Sequence, residues 1–152
     1  MATVPGILGS YLRVAYYKWT LASVGKGCHI GFGSYFAHAQ ASMGDDVGMG
    51  AYCVLGQVDI GDGTLLASHV QILSGSRQHK RDESGKLTDE GRTFRRIKVG
   101  TQCWIGAGAI ITADLGDGAT VGPGSVVSQN VPAGATVSGN PARNFAMVVK
   151  PT

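Results

Sequence analysis

From Val24 the chain repeats itself with a period of six. It reads VGKGCH, IGFGSY, FAHAQAS, MGDDVG, MGAYCV, LGQVD, IGDGTL, LASHVQ and ILSGSR. After an interruption it continues VGTQCW, IGAGAI, ITAD, LGDGAT, VGPGSV and VSQNVP. The leading residues are Val24, Ile30, Phe36, Met43, Met49, Leu55, Ile60, Leu66, Ile72, Val99, Ile105, Ile111, Leu115, Val121 and Val127, all apolar. Ten of these fifteen are followed by glycine. The position four after the lead is usually small or moderate, as at Cys28, Ser34, Val47, Cys53, Thr64, Val70, Ser76, Cys103, Ala109, Ala119, Ser125 and Val131. This period is not helical. It predicts a short flat strand and then a sharp corner, with two inward positions per unit lining a narrow core. Glycine after the lead fits a corner that needs either positive φ or close backbone approach. A unit of this size cannot bury its own face, so the units must stack into an all-β solenoid. The ITAD unit is two residues short and predicts one distorted corner.

Two segments leave the pattern. Residues 77–98 form a polar excursion, long enough to carry function in a compact domain. Residues 1–23 precede the first unit, and Ile7, Leu8, Tyr11, Leu12, Ala15, Tyr16, Trp19 and Ala22 recur at three- and four-residue spacing. That spacing predicts an amphipathic helix, either capping the open end of the solenoid or lying on a membrane with Arg13 and Lys18 beside its apolar face. The organisation is therefore helix 1–23, solenoid 24–143 with the excursion 77–98, and tail 144–152.

Composition narrows the class. Glycine is 24 of 152 residues, roughly twice the usual share, while charged residues are only 15%. With 43% hydrophobic residues, disorder is excluded. The net charge of +3 is concentrated: Arg77, Lys80, Arg81, Lys86, Arg92, Arg95, Arg96 and Lys98 are eight of the thirteen basic residues. Phe94 is the one aromatic residue among them, so no stacking platform for nucleic acid accompanies the charge. An anionic glycan or the phosphates of a cofactor would serve as well, and a plain solvated loop is the alternative. Three cysteines make neither a disulfide framework nor a zinc pair, so a reduced, cytoplasmic setting is expected.

The run from Val99 through Trp104, with IGAGAI, LGDGAT, VGPGSVV and SGNPAR, resembles the hexapeptide-repeat acyltransferases over residues 24–143. The resemblance implies a left-handed parallel β-helix of about five coils, a homotrimer, and acetyl-CoA as co-substrate without a metal. It is similar to enzymes that acetylate a hydroxyl of a sugar or surface polysaccharide. An amino-sugar acceptor and a non-catalytic scaffold remain alternatives. A zinc hydratase sharing this solenoid needs two histidines spaced five apart, whereas His69 and His79 are ten apart.

The resemblance assigns His79, at the start of the excursion in SGSRQH, as the catalytic base. A sugar hydroxyl is nearly un-ionised at neutral pH, and a neutral imidazole can take its proton as the new bond forms. Asp59, Asp82 and Glu83 are candidates to orient that imidazole. His29, His38 and His69 fall outside the inward positions and read as wall residues. By motif position Trp104, Ala107 in WIGA and Pro123 in VGPG would flank the pantetheine arm of the acyl-CoA. Ser128 and Gln129 stand where relatives often carry Thr-Lys, and Arg143 in NPAR is the candidate phosphate ligand. Cys28, Cys53 and Cys103 occupy the inward small position, which argues against a covalent cysteine route.

Overall fold

A computed structural model describes residues 3–74, 79–88 and 93–145. One helix, α1 (Gly6–Thr20), leads into a parallel β-solenoid with three faces. Face 1 stacks Ser23–Val24, Ser42–Met43, Val58–Ile60 and Ile97–Val99, continued by single bridges at Leu115 and Val131. Face 2 stacks His29–Ile30, Gly48–Met49, Leu65–Leu66, Trp104–Ile105, Thr120–Val121 and Thr136–Gly139, the last paired with an antiparallel strand Ala142–Asn144. Face 3 stacks Tyr35–Phe36, Val54–Leu55, Gln71–Ile72, Ile110–Ile111 and Val126–Val127.

The registers place each leading residue over the next, as in Ile30 on Met49 on Leu66 and Leu55 on Ile72 on Ile111. Ile30, Leu55, Ile72, Ile105, Ile111 and Val121 are fully buried. Val131 was expected to be the small inward residue of the last unit. It instead leads a sixth turn, pairing with Leu115, so VSQN is a four-residue unit like ITAD. The ladder of face 1 narrows to bridges at these two short units, which is the form the expected distortion takes.

The inward position four after the lead does more than leave room. Ser34 Oγ donates to the Gly50 carbonyl and Thr64 Oγ1 to the Gly100 carbonyl, each one coil on. The cysteines imitate them: Cys28, Cys53 and Cys103 donate from Sγ to the carbonyls of Gly44, Ala67 and Gly116, each at 3.2 Å. These side chains staple successive coils.

Glycine after the lead serves close approach, not left-handed backbone. A Cβ on Gly50 would lie 2.6 Å from the Ser68 amide nitrogen, with no flexible side chain there to give way. The left-handed residue is two positions further on. It is glycine in most coils, but Asp46, Tyr52, His69 and Gln102 hold φ of 53 to 62°.

The excursion is ordered where described. Lys80–Arg81 and Leu87–Thr88 form an antiparallel hairpin. Its end was expected at residue 98, but Ile97 is fully buried and Ile97–Val99 is a strand of face 1. Lys98 therefore belongs to the solenoid wall.

Candidate active site

Every departure from the six-residue spacing falls at one corner. Face 1 leads to face 2, and face 2 to face 3, always in steps of six, as from Val24 to Ile30 to Phe36 and from Val99 to Ile105 to Ile111. The return from face 3 to face 1 takes seven residues from Phe36 to Met43, five from Leu55 to Ile60, and four from Ile111 to Leu115 and from Val127 to Val131. The whole excursion leaves from this same corner, between Ile72 and Val99. Apart from Gly85 in the hairpin turn, no described residue there has positive φ.

His79 stands at this corner, exposed, immediately before the hairpin strand Lys80–Arg81. The three candidate acidic partners have other engagements or positions. Asp82 closes the hairpin turn, accepting from Ser84 N, Ser84 Oγ and Lys86 N, and these hydrogen bonds lower its pKa from 3.8. Asp59 accepts from Ser42 Oγ and from Arg96 Nη1, each at 2.7 Å. Glu83 sits exposed in the hairpin turn. Arg95 binds Asp114 at 2.7 Å, so Arg95 and Arg96 anchor the returning limb of the excursion to face 1. Phe94 on the same limb rests against His38, ring centroids 4.6 Å apart. Among the described residues the basic cluster thus divides into two structural arginines, a wall lysine, and the exposed hairpin cations Lys80, Arg81 and Lys86, while Arg77 and Arg92 lie outside the described residues.

The candidate cofactor residues form two groups on opposite edges of face 3. Ala107 and Pro123 occupy the face 2–face 3 corner on successive coils, and the Gly124 amide donates to the Ala107 carbonyl at 2.8 Å. Trp104 stands on the outer side of face 2 beside them, in register with Leu65 and Thr120 and 48% exposed. Ser128 and Gln129 lie at the irregular corner. They share a cleft of about 130 Å³ with Asn130, Pro132 and Arg143 at the end of the solenoid. His79 belongs to that side as well, two coils earlier.

The other histidines have identifiable surroundings. His29 bonds Ser10 of α1, and His69 stacks on Tyr52 at 5.3 Å. The cysteines are unsuited to nucleophilic work, since burial raises the pKa of all three from 9.0. Among the described residues no three His, Cys, Asp or Glu side chains gather as a metal site.

A solenoid of six-residue units with a polar excursion over one corner defines a class that comparison with known proteins identifies. The family model for the hexapeptide repeat of succinyl-transferase matches residues 96–129. A maltose O-acetyltransferase from Clostridium difficile 630 is 25% identical, covering 95% of this chain and 79% of its own, with a TM-score of 0.79. The fold is also that of a hexapeptide-repeat acetyltransferase from Vibrio cholerae O1 biovar eltor complexed with acetyl coenzyme A. That match has 23% identity, 89% and 75% coverage, and a TM-score of 0.77. A galactoside acetyltransferase in complex with coenzyme A has the same fold at 20% identity, 95% and 74% coverage, and a TM-score of 0.78. No protein of curated function matches the chain. Residues 96–129 thus carry the hexapeptide repeat, and the chain shares its fold with these acetyltransferases.

Proposed function

We propose that the protein transfers the acetyl group of acetyl-CoA to a hydroxyl of a sugar or surface polysaccharide. The carrying observation is the likeness to the maltose O-acetyltransferase over 95% of the chain. His79 acts as general base on the acceptor hydroxyl. The alkoxide character that develops attacks the thioester carbonyl, the C–S bond breaks, and coenzyme A leaves as the thiol. Backbone amides near the glycine corners are suited to receive the negative charge of the tetrahedral intermediate. Direct transfer is favoured over a cysteinyl intermediate because the three thiols are occupied between coils.

Trp104, Ala107 and Pro123 flank the pantetheine arm, and Ser128, Gln129 and Arg143 hold the phosphate end. The two groups lie at opposite edges of face 3, which supports a site completed by a second copy. Face 3 is itself suited to bury against another protomer: its outward residues are Tyr35, Val54, Gln71, Ile110 and Val126. The outward residues of face 1 are Ser23, Ser42, Asp59, Lys98, Asp114 and Asn130, a wall suited to water. A homotrimer closes such contacts cyclically. Reduced cysteines fit a cytoplasmic setting.

Release of free thiol from acetyl-CoA, followed across neutral sugars, anionic glycans and amino sugars, tests this reading. Acetyl ester formed on a sugar hydroxyl is the expected product. Amide formed on an amino sugar would establish the alternative acceptor class, and no transfer to any acceptor would make the protein a scaffold.

A further inference from the structure

α1 is amphipathic in the inverse sense to a simple cap. Its buried residues are Gly9, Ser10, Arg13 and Tyr17. These serve the open edge of the first coil, whose backbone groups have no preceding coil to pair with. Ser10 Oγ accepts from the Ile30 amide at 3.1 Å, and Arg13 Nε donates to the Ile30 carbonyl at 2.9 Å. Tyr17 Oη accepts from the Phe36 amide at 3.2 Å. Ser10, Arg13 and Tyr17 are thereby engaged inward.

The apolar side faces away from the protein. Ile7, Leu8, Tyr11 and Trp19 are 71, 64, 67 and 90% exposed, and Tyr16 is exposed beside them. Helical geometry at 3.6 residues per turn puts Ile7, Tyr11, Ala15, Leu8 and Trp19 on one side, opposite Arg13 and Tyr17. A helix that only shielded the core would turn this stripe inward.

We propose that this stripe seats the enzyme on an anionic lipid bilayer, with α1 lying in the interface and the solenoid projecting from it. Charge selects the occupant. No acidic residue occurs before Asp45, while Lys18 stands exposed on the outward side of α1 and Lys26 is exposed on the first coil. The stripe is rich in tryptophan and tyrosine, whose rings combine an apolar body with a polar tip and favour the headgroup level. No helix among the described residues is long and apolar enough to cross a membrane, and α1 at 15 residues is of a length to lie on one. Where the proposed trimer forms with its protomers parallel, it presents three stripes on one side, and weak single contacts add as avidity. The seat itself does not depend on acetyl transfer.

The test is co-sedimentation of the full chain with phosphatidylcholine vesicles, with and without phosphatidylglycerol. Binding is expected to the phosphatidylglycerol-containing vesicles and to fall with salt. Ile7→Glu with Trp19→Glu should weaken it at least about tenfold, and Lys18→Glu should weaken it less. Both variants should keep the wild-type circular dichroism and thiol release with a soluble acceptor, so a failure here is separable from a failure of the acetyltransferase reading. Absence of wild-type binding, or equal binding by wild type and the double variant, overturns the proposal. A larger oligomer in wild type that the double variant abolishes, without lipid binding, overturns it in favour of a second copy seated on the stripe.

Discussion

The two regular corners and the irregular corner of this solenoid obey different rules. From face 1 to face 2 and from face 2 to face 3 the chain takes six residues in every coil and places a left-handed residue at the same point, as at Gly27, Gly63 and Gly118 or Gly33, Gly108 and Gly124. Backbone amides stack there: the Asp46 amide donates to the Lys26 carbonyl and the Gly118 amide to the Thr101 carbonyl. A corner whose backbone is bonded to the corners on neighbouring coils cannot change length without breaking those ladders. The return from face 3 to face 1 has no such recurring left-handed position among the described residues, Gly85 in the hairpin turn apart. Side-chain bridges between coils occur there, as they do at the regular corners, where Asp45 Oδ1 accepts from the Lys26 amide and Asp117 Oδ1 from the Thr101 amide. Asp114 Oδ1 accepts from the Lys98 amide, Asn130 Oδ1 from the Asp114 amide, and Ser74 Oγ from the Gln57 amide. Without the recurring left-handed residue and its stacked amides, this corner accommodates four, five or seven residues and a whole hairpin. Catalytic groups need chain that can depart from the repeat, and the candidate base is found at the corner that permits it.

The sharpest break of this comparison is insertional. Two glycines inserted after Gly63, in a regular corner, should abolish the folded state, read as loss of cooperative thermal unfolding. The same insertion after Asp114 should leave a cooperative transition, lowered by only a few degrees. Equal effects would mean that the corners do not differ.

Next in size is the chemistry. His79→Ala at the irregular corner should lower turnover by ~10²–10⁴ with acetyl-CoA affinity nearly intact, because a general base acts in the transition state. His69→Ala at a regular corner should retain turnover. If His69→Ala is the inactive variant, the base belongs to the other corner.

Arg143→Ala should weaken coenzyme A more than dephospho-coenzyme A if the guanidinium grips the 3′-phosphate. One charge-assisted contact contributes about 1.5–3 kcal/mol. Equal weakening of both ligands, measured by calorimetry, would place Arg143 elsewhere on the cofactor.

Smaller still is a stability contrast between two residues that each follow a lead. Gly50→Ala, on face 2, should destabilise by about 1–3 kcal/mol through overpacking against Ser68. Ser128→Ala, on face 3 and exposed, should change stability by no more than about 0.5 kcal/mol. Denaturant titration compares the two.

The smallest effect is alkaline. Burial raises the Cys53 and Cys103 thiols above 9.0, so the folded state holds these protons more tightly than the unfolded chain. Their contribution is complete below pH 9.0 and is lost as pH rises through the higher folded values. Stability should therefore decline above that pH. Cys53→Ser keeps the donor to the Ala67 carbonyl and should shrink the decline.

The coil was legible residue by residue, because the apolar leads and the small inward positions each carry a steric requirement into the sequence. Val131 was assigned the wrong role because a valine satisfies the small inward position and the lead alike. His79 stood out because it begins the break in the period. The fates of Asp59 and Asp82 were not legible: both bond partners brought near by the coil or the hairpin turn, and nothing in their sequence neighbourhood distinguishes them from free carboxylates.

The sequence by itself determined the repeat, the three-sided core and the place where the chain leaves it, since all three follow from local spacing and side-chain volume. Only the tertiary structure decided that the irregular spacings share one edge, that glycine after the lead serves close approach, and that α1 turns its apolar side outward. Those outcomes depend on which backbone groups the neighbouring coil leaves unpaired. The amide of Phe36 and the amide and carbonyl of Ile30 drew Tyr17, Ser10 and Arg13 inward. A helix read alone contains no record of the edge it must satisfy.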